Sequence, residues 1–322
     1  MTNLVILYVG NVGSTPLVQV AKQHPKTCVP IIEEFDEYEF IPHCGEENLF
    51  DALAETLDTL YQRKRNAYLD GETVRRHRDT DEFPSVEMAP HMVFKWRPNS
   101  YRQRRAGSAV LPPVFAKHNV KAAVLARRSA VERALKVMMT EAQTGTKYPQ
   151  FRAEKMSDAE YKAYMQEQAE VSIRIEGDDL VNLRELARSY YGKTWVLVHA
   201  AMFQFAHLGG PPPLIVSEQI LKPEIDYDAV SDVLSALLCD DIRLTNDMAP
   251  TVRRAGLGIE NCANLDELAN DPELRDIERR YQLLLRKLTP VLGDWEPAGL
   301  FSQLRDRFSP PPVALGENLP IR

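Results

Sequence analysis

Hydrophobic positions along the chain form short continuous runs, separated by stretches in which apolar residues recur at a helical period. Continuous apolar runs are typical of parallel strands that are covered on both faces. The predicted strands are Leu4–Val9, Cys28–Ile32, Met92–Trp96, Val120–Ala126 and Leu214–Val216. The pattern therefore predicts a sheet whose strands are connected by helices.

The stretches between these runs predict amphipathic helices, because their apolar residues repeat every three to four positions. The predicted helices cover a short segment through Val20–Lys22, then 46–64, Pro113–Lys117, a helix capped by Ser129 that ends near Ala142, and 178–190, 193–207, 226–238 and 272–288. The charged stretch 66–90 predicts a mobile loop or lid.

The alternation of strands and helices predicts an α/β fold with a central parallel sheet flanked by helices. The part of the chain from about residue 150 to 322 is mostly helical in this prediction. No Gly/Ser-rich linker divides the 322 residues, so a single domain over 1–322 is favoured.

Charge and composition narrow the class of function. The net charge of −7 argues against broad nucleic-acid binding, which needs a basic face. The four cysteines contain no CxxC pair, and neither a metal site nor a disulfide framework is expected. No apolar stretch approaches the roughly 20 residues of a membrane span, and the first residues lack a signal peptide's basic region. We expect a soluble, cytoplasmic protein.

Two segments carry the chemistry of an anion site. The first is the small-residue loop 10–15, which follows the first predicted strand and leads into a helix. Backbone N–H groups and the helix dipole at such a loop can hold a phosphate. The loop lacks the Walker spacing and its lysine, so a plain strand-to-helix turn is the alternative interpretation.

The second segment is the arginine pair Arg127-Arg128, which follows the strand Val120–Ala126. Open α/β sheets bind ligands at the carboxyl ends of their strands. A basic pair at the positive end of a helix is electrostatically unfavourable unless an anion binds there. The alternative is that both arginines are ordinary surface charges at a helix start.

The order of five segments resembles the P-loop-like sulfotransferases, and most of all the bacterial trehalose type. The segments are GNVGSTPL after the first strand, EEF about twenty residues later, FKWRP, VLARRSAVERALK and LIVSEQILKPEIDYDAVSDVLSALL. The resemblance covers about residues 3 to 240. It implies a P-loop-like sulfotransferase architecture and transfer of a sulfuryl group from 3′-phosphoadenosine 5′-phosphosulfate to a hydroxyl, without a metal.

The resemblance also implies residue roles. Gly13, Ser14 and Thr15 would hold the 5′-phosphosulfate of the donor. Arg128, with Arg127 beside it, would bind the 3′-phosphate, since an arginine fork can make two parallel hydrogen bonds to a phosphate.

The catalytic base of the trehalose type is a glutamate after the second strand, which here is Glu34 or Glu33. Arg97 stands where animal-type relatives have a histidine, so a histidine base is excluded there. Lys95 and Arg97 would help to neutralise charge on the donor or the acceptor.

Two departures from the family pattern support a second hypothesis. Asn11 stands where the family has a basic residue, and Lys136 stands where it has a serine. Lys136 could reach the 3′-phosphate or block its pocket. The chain could therefore be a sulfotransferase-fold binding or scaffold protein without turnover. A P-loop kinase is a third and weaker interpretation, because the Walker lysine is missing.

The partner predicted by the resemblance is a hydroxyl acceptor, either a small molecule or a glycan. The loops that would recognise it fit sugars, lipids and small metabolites alike, so its identity stays open. Whether the chain forms a homodimer is open as well.

Overall fold

The computed structural model describes residues 2–10, 14–28, 48–70, 73–75, 82–85, 90–98, 107–145, 156–222, 224–245 and 259–293. The first elements are β1 (Thr2–Tyr8), α1 (Ser14–Gln23), β2 (Thr27–Cys28), α2 (Leu49–Asp70), β3 (Thr73–Arg75), β4 (Glu82–Ser85), β5 (His91–Trp96), a 3-10 turn (Gly107–Val110), α3 (Leu111–Lys117), β6 (Val120–Ala126) and α4 (Ala130–Thr144).

The later elements are mainly helical. They are α5 (Asp158–Glu170), α6 (Asp178–Gln204), a 3-10 turn (Ala206–Leu208), β7 (Pro213–Val216), α7 (Ser217–Ile220), β8 (Leu221–Lys222), β9 (Glu224–Ile225), α8 (Tyr227–Leu238), a 3-10 turn (Ile259–Asn261), α9 (Leu265–Asn270), α10 (Pro272–Leu285) and β10 (Thr289–Pro290). No helix in the described ranges is long and apolar enough to cross a lipid bilayer.

The main sheet has six strands in the order β10-β7-β6-β1-β5-β2, and all of its pairings are parallel. Leu4 of β1 lies opposite Val93 of β5 and Lys121 of β6. From β1 the chain moves outward to β2, returns to β5, crosses to β6 and continues to β7. The connections after β1 and β6 thus leave in opposite directions, which makes the crevice between them the topological switch point.

Helices cover the sheet on both faces. Along β1, Val5 and Leu7 point into a core formed with α2, α3, α4, α6 and α10. Leu4 and Ile6 point into a second core with α1 and α8. Burying an aliphatic side chain of this size contributes about 1.5–3 kcal/mol, so both faces stabilise the sheet. These layers confirm the predicted α/β class, with a central parallel sheet flanked by helices.

Four predicted strands are confirmed as β1, β5, β6 and β7, with ends that differ by at most two residues. A two-residue strand, Thr27–Cys28, overlaps the second predicted strand at Cys28, and the rest of the range 28–32 lies outside the described residues. The long apolar runs were reliable because they are buried on both faces.

Two predictions about the helical and loop regions are corrected in part. The ranges 178–190 and 193–207 are largely one helix, α6, which continues through Gly192 because packing overrides the weak helix propensity of glycine. The range 66–90, predicted as a loop or lid, begins inside α2 and includes the antiparallel pair β3–β4, while 71–72, 76–81 and 86–89 lie outside the described residues. Residues 62–69 contain neither glycine nor proline, so α2 extends beyond its apolar stripe.

Candidate functional site

The carboxyl ends of β5, β1 and β6 lie side by side at the switch point. Ser14, the first residue of α1, lies after β1 and is buried. Of the other two residues of the predicted 5′ cradle, Gly13 lies outside the described residues, as does the side chain of Thr15. Asn11 lies outside them too. The two glutamates predicted as the base, Glu33 and Glu34, also lie outside them.

Lys95 and Arg97 meet at the ring of Tyr8, beside the end of β1. The Lys95 Nζ lies 5.3 Å from the ring centroid, and the Arg97 Cζ lies 5.9 Å from it. A Cβ on Gly10 would lie 3.4 Å from the Arg97 Nη1, so the guanidinium packs closely against the backbone that follows β1. The electron-rich ring face stabilises the two neighbouring positive charges.

Arg127 and Arg128 contact carboxylates of the chain itself. The Arg127 Nη1 lies 3.4 Å from Glu218 Oε1, and the backbone N–H of Arg128 donates to Glu218 Oε2 at 2.9 Å. The Arg128 Nη2 lies 3.4 Å from both oxygens of Glu132. Charge-assisted hydrogen bonds are usually about 2.7–2.9 Å long, so the guanidinium contacts are long ones.

A third carboxylate, that of Glu278, lies at the N-terminus of α4. Its Oε2 accepts from the Ser129 hydroxyl at 2.8 Å and from the backbone N–H of Val131 at 3.3 Å. The Ser129 Oγ in turn accepts from the backbone N–H of Glu132 at 3.0 Å, which caps the helix. The position that an anion takes at a helix N-terminus is thus occupied by Glu278.

Burial raises the pKa of Glu278 to about 7, against the opposing effect of its hydrogen bonds with Gln282 and Ser129 and with the backbone of Val131. The side chain is almost fully enclosed, and the loss of hydration disfavours its charged form. A carboxyl group with a pKa of about 7 therefore contacts Ser129, the residue that follows the arginine pair.

One turn of α10 holds the segment from Arg127 to Ser129. The Tyr281 hydroxyl donates to the Arg127 carbonyl at 2.8 Å, and Gln282 Nε2 donates to the Arg128 carbonyl at 2.7 Å. Glu278 accepts a hydrogen bond from Ser129, so three side chains of α10 form hydrogen bonds with three consecutive residues of this segment. We call residues 127–129 the arginine turn.

Sequence reasoning missed these α10 residues, although a signal existed. Glu278 and Gln282 are polar, yet they fall at helical spacing within the apolar face that includes Leu274, Ile277 and Leu285. A polar pair on a buried stripe needs hydrogen-bond partners, which here lie on the arginine turn.

Lys193 of α6 was also missed. It lines a small pocket of about 50 Å³ at the ends of β1 and β5. The pocket is lined by Tyr8, Val9, Arg97, Pro98, Lys193, Val196 and Leu197. A lysine on a helix has no local feature that marks it as part of a site, because its position depends on how α6 packs over the sheet.

The basic residues predicted to contact the donor form two pairs, and a fifth, Lys136, lies apart from both. Lys95 and Arg97 lie at the end of β5, and Arg127 and Arg128 follow β6. These two strands flank β1 and are therefore about 10 Å apart. Lys136 is half-buried in α4, about 10 Å further along the helix axis than Ser129. The structure therefore brings two cation pairs to one edge of the sheet and leaves Lys136 apart from them.

Within the ranges that the structure describes, no three histidine, cysteine or acidic side chains are grouped to hold a metal ion. Comparisons of this chain with protein-family models, with curated proteins and with solved structures found no match. The functional argument therefore depends on the geometry of the sheet edge.

Proposed function

We propose that this protein is a sulfotransferase, which transfers a sulfuryl group from 3′-phosphoadenosine 5′-phosphosulfate to a hydroxyl acceptor. The observation that carries the proposal is the pair of cation groups at the switch point, one on each side of β1. A donor with phosphate groups at both ends needs positive charge at two separated positions. The crevice outside the carboxyl ends of the strands is where such a sheet binds its ligand.

In this proposal the arginine turn binds the 3′-phosphate, with Arg128 as its main contact. Ser14 at the start of α1, together with Gly13 and Thr15, binds the 5′-phosphosulfate. Lys95 and Arg97 offset the negative charge that develops when the sulfuryl group leaves the 5′-phosphate.

The transfer itself is an in-line displacement. The acceptor oxygen attacks sulfur while the bond from sulfur to the bridging oxygen of the 5′-phosphate breaks. The carboxylate of Glu34, or of Glu33, accepts the proton of the acceptor hydroxyl. The products are a sulfate ester and 3′-phosphoadenosine 5′-phosphate.

Binding of that product tests the proposal directly. Calorimetric titration of 3′-phosphoadenosine 5′-phosphate is expected to give micromolar affinity. Arg128→Ala is expected to weaken it at least fivefold, or by about 1 kcal/mol, because the anchor of the 3′-phosphate is lost. Arg275→Ala is the matched control, since Arg275 is exposed on α10. No binding by the wild-type protein, or equal affinity in Arg128→Ala, would overturn the proposal.

A sulfotransferase-fold binding protein without turnover is the second candidate. It is favoured by Glu278, whose carboxylate already occupies the N-terminus of α4, and by the departures at Asn11 and Lys136. Transfer of labelled sulfate to a set of hydroxyl acceptors separates the two candidates. Turnover by the wild type excludes the second one, whereas turnover gained only in Asn11→Arg supports it.

A further inference from the structure

Arg133 is a buried arginine that the proposed function does not use. It lies on α4 one helical turn after the cap Ser129, and only 6% of its surface is exposed. Its Nε is buried without a hydrogen-bond partner. Among the residues that the structure describes, no carboxylate forms an ion pair with its guanidinium.

The surroundings of Arg133 offset its charge only in part. Its Cζ lies 3.6 Å from the centroid of the Tyr190 ring on α6. The pKa of Arg133 is lowered to about 10, mainly by burial; Tyr190 and Tyr281 oppose this shift, and the charge of Arg127 contributes to it. A second guanidinium close to a buried one adds repulsion to the loss of hydration.

Burying the charge of an arginine in this position costs free energy unless an anion pairs with it. Contact with an aromatic ring stabilises a cation by less than the loss of hydration on burial costs. The buried Nε of Arg133 has no hydrogen-bond partner, and an oxygen of a tetrahedral oxyanion would satisfy it.

We propose that Arg133 and Arg127 form an oxyanion site between α4 and α6, which takes a sulfate or phosphate group. The Arg133 Cζ lies 3.6 Å from the centroid of the Tyr190 ring, and the unpartnered Nε is the donor that an oxyanion oxygen would accept from. Arg127 provides the second positive charge. The site goes beyond the proposed function, because it requires an oxyanion but no nucleotide.

The test compares binding of sodium sulfate and of inorganic pyrophosphate, with sodium chloride used to keep the ionic strength equal. In the wild-type protein, either oxyanion is expected to raise the thermal unfolding temperature by several degrees more than chloride does. Arg133→Met replaces the charge with an apolar chain of similar length, and it is expected to fold and to lose this specific increase. Arg275→Met, exposed on α10, should respond as the wild type does.

Arg133→Lys keeps the test decisive if Arg133→Met does not fold. The lysine retains the charge but loses the paired donors, so sulfate affinity measured by calorimetry is expected to fall at least fivefold. Equal sulfate responses in the wild type and in the folded Arg133 variants would overturn the site, as would an ionic-strength effect that chloride reproduces.

A third titration, with 3′-phosphoadenosine 5′-phosphate, separates this inference from the proposed function. Sulfate binding that depends on Arg133, without nucleotide binding, supports the oxyanion site and rejects the sulfotransferase. Nucleotide binding that depends on Arg128, with a sulfate response unchanged in Arg133→Met, rejects the oxyanion site and supports the sulfotransferase.

Discussion

At the scale of single residues, Glu278 links the stability of the protein to the geometry of its candidate site. Its carboxylate accepts hydrogen bonds from Ser129, Val131 and Gln282, and it is almost fully enclosed. These donors favour the ionised form, whereas the loss of hydration favours the neutral form and is the larger effect. Glu278 should therefore make the free energy of unfolding depend on pH.

The sign of that dependence follows from the two states. The pKa of Glu278 is about 7 in the folded protein and near 4.5 in the unfolded chain. Between these values the folded state holds more protons, so the free energy of unfolding decreases as pH rises. Glu278 is expected to contribute a decrease of about 3 kcal/mol across this range.

Glu278→Gln tests this effect, because its amide does not titrate. Urea denaturation at pH 5 and pH 8 should show a smaller decrease in stability for the variant than for the wild type. His91 acts in the opposite direction, since burial lowers its pKa, but it is common to both proteins. Glu185→Gln, exposed on α6, is the control and should retain the wild-type slope. Equal slopes for Glu278→Gln and the wild type would contradict the assignment.

At the scale of elements, α10 is anchored at its start by Asp271. The Asp271 carboxylate accepts from the backbone N–H groups of Glu273 at 3.1 Å and Leu274 at 2.9 Å. It also pairs with Arg184 of α6. This cap fixes the first turn of the helix that holds the arginine turn.

Substitutions of Asp271 should lower the free energy of unfolding by an amount that depends on how many of its interactions are lost. Asp271→Ala loses both the cap and the ion pair, and it is expected to lower the free energy of unfolding by about 1–2 kcal/mol. Asp271→Asn keeps a capping oxygen but loses the charge, so it should fall between Asp271→Ala and the wild type. Urea denaturation at pH 7 measures the order. A stability of Asp271→Ala equal to that of the wild type would show that the cap contributes nothing.

The sequence predicted elements best where burial produces a strong local pattern. The runs of β1, β5 and β6 are apolar along nearly their whole length, because both faces of the sheet are covered. The pair β3–β4 was missed because its strands are short and polar. The continuity of α6 through Gly192 was missed because it depends on packing rather than on propensity.

In the candidate site too, the sequence predicted the residues that follow a local pattern and missed those that depend on packing. The cations at the ends of β5 and β6 could be predicted, since each follows a recognisable strand. The partners of the arginine turn, Glu218, Glu278 and Tyr281, lie 90 to 154 positions further along the chain. No local sequence pattern indicates contacts over such separations, so the residues around the arginine turn could be identified only from the structure.

At the scale of the whole molecule, the sheet separates two apolar cores. Leu17 of α1 lies in one of them and Leu183 of α6 in the other, and both side chains are fully buried. The strands between these cores come from both ends of the described chain, since β1 and β10 belong to the same sheet. The predicted single domain implies that both cores unfold together.

Leu17→Ala and Leu183→Ala test this cooperativity. Each is expected to lower the free energy of unfolding by about 2–5 kcal/mol through the cavity that it leaves. Each variant should show one transition, with the same midpoint by circular dichroism and by tryptophan fluorescence. Two separate transitions, with only one of them shifted by each variant, would contradict the single domain.

The dependence of the arginine turn on α10 has a consequence for biosynthesis. Tyr281 and Gln282 hold carbonyl groups that precede them by 154 residues. At about 5–20 residues per second, a ribosome needs roughly 10–30 seconds to add that length of chain. During this interval water, rather than α10, must satisfy the backbone of the arginine turn. Any anion that needs the finished turn can bind only after nearly all of the described chain has been translated.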